Sequence, residues 1–383
     1  MIDSLALFFT RGVSLQEWLQ RGMFDREKRI YEEHLHRGNV GRVLWITYGP
    51  EDADIAARLH AEGRLHTSIR ILAIPRLLAN KTGCGIYSLL APFLYRKELS
   101  KATILKTNQM DGSWTALLTG RVYNKPVYVR TGFSLSKLTA HEQGATSLRV
   151  RMFRAIERVV YTWCEAAAAS ARHEIDYIAK FYGRCDVHWL PNYVETDKFF
   201  PGTAPRIANS LVFVGRLHHQ KNLKALFEAL QGTPYSLSIY GTGPEEAELR
   251  QLAQRLRLDA KFHGAVPNAS LPEALRCAEA FVLPSPFEGM PKALLEAMAC
   301  GCVCIGADVT GVNEVICDGS NGLLAPQPTP DGFRTVLRRL SQADKTALAA
   351  AGVEHIRMQY SLDAVIQTEA AILEKLAQQN VQC

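Results

Sequence analysis

Glu288 and Glu296 flank seven residues, Gly289-Met290-Pro291-Lys292-Ala293-Leu294-Leu295. The apolar run Ala280–Leu283 ahead of them reads as a buried strand. Pro291 suits the first turn of a helix, where its missing N–H costs nothing, and Gly301 suits the end of that helix. The order is therefore strand, loop bearing Glu288, helix bearing Glu296. The start of the helix offers unpaired amides and the positive end of a dipole, which together suit a phosphate. A carboxylate is a good acceptor for sugar hydroxyls, and one that accepts two bonds can hold a ribose. Spacing alone leaves open the alternative that both acids sit on a solvated surface.

Two further loops have the same setting between strand and helix. In Gly215-Arg216-Leu217-His218-His219-Gln220-Lys221-Asn222, two cations bracket a turn and suit a diphosphate, or simply face solvent. The Gly-Lys-Ser/Thr of a nucleotide-triphosphate loop is missing. Gly241-Thr242-Gly243-Pro244 begins like a dinucleotide fingerprint, but Glu246 stands where the third glycine belongs and Pro244 interrupts the turn. A nicotinamide site is excluded at this loop, while the glycines still permit close approach of a ligand. His141 and His173 stand alone and read as structural. The nine cysteines lack disulfide or zinc spacing, and Cys300, Cys302 and Cys304 read as buried apolar residues in a reducing cytoplasm.

These loops need elements to position them. Strands are expected at Leu5–Thr10, Arg42–Thr47, Ser68–Ile74, Thr103–Lys106, Pro126–Arg130, Ala166–Ser170 and His188–Leu190. The helices among them include one from Leu15, capped by Ser14 with Glu17 and broken near Gly22, then Ile86–Leu94, Leu148–Trp163 and Arg172–Tyr182. Pro201–Asn209 reads as a boundary, and a second alternation of strands and helices follows it to a long final helix at Ser361–Gln379. The expected division is 1–205, 206–360 and 361–383. Such alternation defines two parallel, doubly wound sheets. Ligands of these sheets sit at the carboxyl ends of the strands, so two of them in tandem are expected to face one cleft.

Charge is unevenly spread. Residues 1–200 hold 28 Lys and Arg against 20 Asp and Glu, and the remainder holds 16 against 18. A basic first half implies an anionic partner, a membrane surface or a phosphate-bearing substrate. No helix-turn-helix, finger or aromatic RNA-binding motif is present, which sets nucleic acid aside. In Leu148–Trp163, Arg151, Arg154 and Arg158 share one face and Met152, Ile156, Val159 and Trp163 another. This helix either covers a core with a solvated basic face or lies on anionic lipid. No apolar run is long enough to span a bilayer, and Leu5–Phe9 reads as a strand and not as a leader.

Taken together, these motifs resemble glycosyltransferase family 4, retaining enzymes of the GT-B fold. Pro191-Asn192-Tyr193-Val194-Glu195, Gly215-Arg216 with Lys221-Asn222-Leu223, Gly241-Thr242-Gly243-Pro244, Glu288 to Glu296, and Gly311-Val312-Asn313-Glu314 with Asn321-Gly322-Leu323 occur in the family's order. The resemblance implies that the final helix returns to the N-terminal domain. It implies that Arg216 and Lys221 grip a donor diphosphate with Gly215, that Glu288 meets the transferred sugar, and that Glu296 binds the ribose. It also gives the backbone of Gly289, Met290, Pro291, Lys292, Ala293 and Leu294 to the distal phosphate and sugar, with Gly12, Gly241 and Gly243 completing the donor site. The first half departs from the family pattern: a single glycine stands in Thr10-Arg11-Gly12-Val13-Ser14, and Arg130-Thr131-Gly132 stands where a histidine is common. Arg11, Asn108 and Arg130 are the acceptor-side candidates.

The implied reaction moves a sugar with retention from a nucleotide sugar, UDP expected and GDP the alternative, to a lipid-linked or polysaccharide hydroxyl in bacterial surface-glycan synthesis. It needs no metal or cofactor and takes place in the cytoplasm or on the inner membrane face. No general base is evident. A small soluble acceptor, an epimerase, a phosphorylase and a non-catalytic sugar-binding protein are the alternatives.

Overall fold

The computed structural model describes residues 2–144 and 146–381. It divides into two compact units. One holds the chain up to Leu190 together with the chain from Ile366, and the other is Pro191–Val365.

The first unit is built on a parallel sheet of β1 (Leu5–Phe8), β2 (Val43–Thr47), β3 (Ile69–Ala73), β4 (Ile104–Thr107), β5 (Val127–Thr131), β6 (Ala166–Ala169) and β7 (Val187–Trp189). Their order is β3-β2-β1-β4-β5-β6-β7. Leu5, Ala6, Leu7 and Phe8 are all buried, as expected for a strand covered on both faces. The four alanines of β6 form a strand despite their helical preference, because all four are buried in a ladder between β5 and β7. The strand order reverses between β1 and β4, so the loops after them, 9–14 and 108–112, lie side by side.

The second unit repeats the plan with β8 (Ile207–Val214), β9 (Ser236–Tyr240), β10 (Ala260–Gly264), β11 (Ala278–Leu283), β12 (Val303–Ala307) and β13 (Leu323–Ala325). The order is β10-β9-β8-β11-β12-β13, again parallel, and it reverses between β8 and β11. Cys300, Cys302 and Cys304 are buried here, and burial pushes the first two thiols up to about 11 and about 12.

Most local readings match the observed elements. Leu148–Trp163 and Arg172–Tyr182 are helices over those spans. The break near Gly22 separates Leu15–Gln20 from Phe24–His36, with Gly22 at φ +64° and the Glu17 amide donating to Ser14 Oγ at 3.0 Å. Met152, Val159 and Trp163, read as a core face in one alternative, are exposed; the buried face is Val150, Glu157, Val160 and Tyr161.

The observed unit boundary lies ahead of the expected 205/206 division. The stretch after Leu190 is stitched into the second unit. Val194 N–H donates to Tyr360 O at 2.7 Å and Leu362 N–H to Val194 O at 3.1 Å, while Arg276 donates to the carbonyls of Lys198 and Phe200. The final helix, Leu362–Val381, begins in the second unit and belongs to the first from Ile366 onward.

Among the described residues four α-helices were not anticipated: Asp52–Ala61, Arg96–Leu99, Ser113–Tyr123 and Leu135–Gln143. The last starts on two buried carboxylates distant in sequence. Glu174 Oε2 accepts from Ser134 N–H at 3.1 Å and Ser134 Oγ at 2.8 Å, and Glu157 Oε1 accepts from Ser136 N–H at 3.2 Å. Burial alone would raise the Glu174 carboxyl. His173 and Lys137, the latter at 2.8 Å, together with Ser134 outweigh it and hold the group at about 2. A depressed carboxylate stabilises the fold fully above its unfolded value near 4.5, and that stability is lost as pH falls through about 2. The Glu174→Gln variant is therefore expected to melt well below the wild type at pH 6, with the gap closing as pH approaches 2. Calorimetry across that range checks it; a gap independent of pH would contradict the ionic role.

Candidate active site

In the second unit the loops after β8, β9 and β11 converge at the carboxyl end of the sheet. The β8 loop makes a single helical turn at His219–Lys221 and then Asn222 turns left-handed at φ +53°. Asn222 Nδ2 donates to the carbonyls of Pro284 at 3.1 Å and Pro328 at 2.9 Å, which pins the β8 loop to the β11 loop. Lys221 Nζ thereby meets Glu288 Oε1 at 2.6 Å. Glu288 is almost fully buried and Lys221 is partly buried, so this is a partly desolvated ion pair of short length. Arg216, by contrast, is exposed, with no ion pair to an acid among the described residues.

Glu288 is held from behind. Its N–H donates to Thr310 O at 3.1 Å, and a Cβ on Gly311, at φ +84°, would stand 2.2 Å from Glu288 O. Only glycine permits that approach. Glycine also governs how the β9 loop packs. A Cβ at Gly241, φ +131°, would stand 2.0 Å from Gly215 O, and one at Gly243 2.1 Å from Leu217 O. The near neighbour of both glycines is the backbone of the β8 loop, with Leu217 N–H donating to Thr242 O at 3.0 Å. They seat the loop that bears Arg216 and Lys221.

The helix Lys292–Ala299 follows, with Pro291 as its cap residue. The first amides of a helix have no preceding carbonyl to receive them within it. Two expected donors are corrected here: Pro291 has no N–H, and the Leu294 amide is spent on Pro291 O at 3.1 Å. Glu296 is buried on this helix, with Lys292 Nζ at 3.6 Å from its Oε1 and 6.0 Å from the Tyr193 ring. Local reading missed Ser285, fully buried in the β11 loop, whose hydroxyl has no hydrogen-bond partner among the described residues. A serine just after an apolar strand at the sheet's reversal point is the signal that would have marked it.

In the first unit Gly12 sits at φ +80° in an open turn with no atom within 4 Å of its Cβ position. The helix behind it is closed to anions. Asp52 accepts from the amides of Leu15 at 2.9 Å and Gln16 at 3.3 Å, and Ser14 takes that of Glu17. Arg11 lies 5.4 Å over the Trp114 ring and 3.7 Å from Asp111 Oδ1, whose carboxyl is raised by burial against the pull of Arg11. Asn108 turns inward, its Nδ2 donating to Tyr31 OH at 2.7 Å. Arg130 lies on β5 itself and donates to Leu190 O at 3.3 Å. The structure thus brings Arg11 and Asn108 to neighbouring loops and places Arg130 in the sheet.

Two parallel doubly wound units with a final helix shared between them define a GT-B fold. Over 98% of the chain it superposes on sucrose-phosphate synthase from Thermosynechococcus elongatus, covering 100% of that structure with a TM-score of 0.77 at 18% identity. The Anabaena protein Alr3699/HepE, solved with UDP and glucose, superposes over 97% of this chain and 99% of its own with a TM-score of 0.72 at 15% identity. The chain is related to the family "Glycosyl transferases group 1", whose model matches residues 194–351. The amylovoran biosynthesis glycosyltransferase AmsK of Erwinia amylovora is 31% identical over 182 residues, 44% of this chain and 45% of AmsK. The matches span a little under half the length of the first curated relatives.

Proposed function

We propose that the protein is a retaining glycosyltransferase that moves a sugar from a nucleotide sugar to a hydroxyl of a lipid-linked or polysaccharide acceptor in bacterial surface-glycan synthesis. The observation that carries this reading is the Lys221–Glu288 pair at 2.6 Å, set between exposed Arg216 and the start of the Lys292–Ala299 helix. Two cations and a helix start favour a diphosphate, and the adjoining carboxylate favours a sugar. The relation to the amylovoran biosynthesis glycosyltransferase AmsK supports the glycan acceptor, and the likeness of fold to a protein solved with UDP and glucose supports the nucleotide.

In this reading the bond from the anomeric carbon to the diphosphate oxygen breaks while the acceptor hydroxyl forms its new bond on the same face. The hydroxyl proton passes to the departing diphosphate. Arg216, Lys221 and the start of the Lys292–Ala299 helix stabilise the charge that develops there, where electrostatic stabilisation contributes most. Lys221 is paired with Glu288, so an arriving diphosphate competes for it and leaves Glu288 an oxygen for the sugar. Glu296 takes the ribose hydroxyls.

Thermal shift with UDP, GDP and their sugars tests the donor half. Ligand at about a hundred times its Kd is expected to add roughly 2.7 kcal/mol of stability. UDP is expected to outrank GDP, and labelled sugar is expected to pass to a lipid-linked acceptor. A chain that neither nucleotide stabilises, or that consumes donor equally without acceptor, is not this transferase.

A further inference from the structure

The helices of the first unit carry a surface its own core does not use. In the helix Lys81–Leu94 the inward face is Gly83, Tyr87, Ser88, Ala91 and Pro92, all buried, and Ser88 Oγ meets Tyr48 OH at 2.8 Å. The outward face carries Ile86, Leu89, Leu90, Phe93 and Leu94, all exposed, with Leu89 at 59% and Phe93 at 57%. Their spacing of i, i+3, i+4, i+7 and i+8 is one helical stripe, and it points away from the protein.

The helix Leu148–Trp163 repeats the pattern. Leu148, Met152, Val159 and Trp163 are exposed along one stripe. The helix Ser113–Tyr123 joins the two. Tyr123 OH donates to Pro92 O at 2.9 Å, Arg121 lies over the Trp163 ring at 5.2 Å, and Val122 between them is exposed. The exposed apolar residues therefore lie on three neighbouring helices, with Val122 on the one that contacts both others. Lone exposed apolar residues are ordinary, but a patch spread over three helices is not.

Charge identifies the occupant. The three helices contain one carboxylate, Glu157, and it is fully buried on Ser136 and Tyr182. Their exposed ionic groups are Lys81, Arg121, Arg149, Arg151 and Arg158, all cations. A second copy of the chain fits this poorly, because a two-fold interface would lay the cations against themselves. Among the described residues no helix is long and apolar enough to cross a membrane. We propose that this face docks on an anionic lipid surface, with the stripes in the acyl boundary and the arginines at headgroup phosphates. The docking serves the transferase reading by bringing the chain to a lipid-linked acceptor, but it stands apart from it, since vesicle binding requires neither donor nor transfer.

The test is co-sedimentation of the full chain with vesicles of phosphatidylcholine, alone or mixed with phosphatidylglycerol. Binding is expected to the mixed vesicles only and to weaken with salt. Arg149→Gln or Arg151→Gln is expected to lower partition roughly fivefold each. The double variant Leu89→Asp/Phe93→Asp is expected to lower it by roughly tenfold or more at unchanged melting temperature, since both side chains are exposed. Equal binding to neutral vesicles, no binding to either, or binding that the double variant leaves intact would overturn the proposal. So would a lipid-free dimer in sedimentation velocity that the double variant dissolves, which would give the face to a second copy.

Discussion

Glu288→Ala is expected to lose at least a hundredfold in kcat while melting near the wild type, and Lys221→Ala to lose as much with a weaker hold on the donor. The reasoning starts from the 2.6 Å contact. In the transferase reading Lys221 faces the charge that develops on the leaving diphosphate, and removing one such group costs roughly a hundred- to a thousandfold in rate. Removing Glu288 leaves Lys221, partly exposed, able to reach water, so the fold tolerates it. Removing Lys221 instead leaves a buried carboxylate without its partner, so this variant is also expected to lose stability, roughly 1–3 kcal/mol. Glu288→Gln keeps the shape and separates the two contributions. If the pair acts as a unit, the double variant costs little more than either single one. Steady-state kinetics with saturating donor decide it. Wild-type turnover in purified Glu288→Ala would end the transferase assignment of this pair.

How far the chain could be read in advance follows from where each determinant lies. Strands of parallel sheets are short apolar runs, and Leu5–Phe8, Val303–Ala307 and Ala278–Leu283 show that locally. The loops that bear Arg216, Lys221 and Glu288 were legible as loops for the same reason: Gly, Pro, cations and acids follow such runs directly. The functions of Gly241 and Gly243 were not, because the atoms that forbid a side chain there belong to residues 215 and 217, a different loop. The helix Leu135–Gln143 was hidden because its caps, Glu174 and Glu157, lie up to 40 residues away. Ser113–Tyr123 was hidden because it is buried on most sides, with Ser113, Thr115 and Thr119 inside, and so lacks an amphipathic period. The outward apolar stripe of Lys81–Leu94 illustrates the converse. Periodicity finds the stripe, but only packing tells which way it faces.

Lys106 poses the sharpest conflict between local pattern and burial, and it yields the largest stability prediction. It stands in β4, a central strand, with only 1% of its side chain exposed. Its ammonium lies 2.7 Å from Glu369 Oε1 of the final helix and 4.8 Å over the Tyr31 ring. Glu369 Oε2 faces His34 Nε2 at 3.1 Å, and Asn39 Nδ2 lies 3.2 Å from His34 Nδ1. An Asn39 amide donating to Nδ1 leaves the Nε2 proton for Glu369. Burial presses the Glu369 carboxyl upward, but Lys106 and then His34 hold it well below the usual range. Burial in turn presses Lys106 down against the pull of Glu369. Breaking such a pair strands a charge, so Glu369→Ala or Lys106→Met is expected to cost about 3–5 kcal/mol. The double variant Lys106→Met/Glu369→Leu strands none and is expected to recover most of that loss. Because Glu369 lies on the part of the final helix that belongs to the first unit, hydrogen exchange in either single variant is expected to rise from Ile366 onward before the second unit responds. Denaturant titration of all three variants checks the energies. Additive losses in the double variant would mean that Lys106 and Glu369 stabilise the fold independently, each through its own packing, and not as a pair.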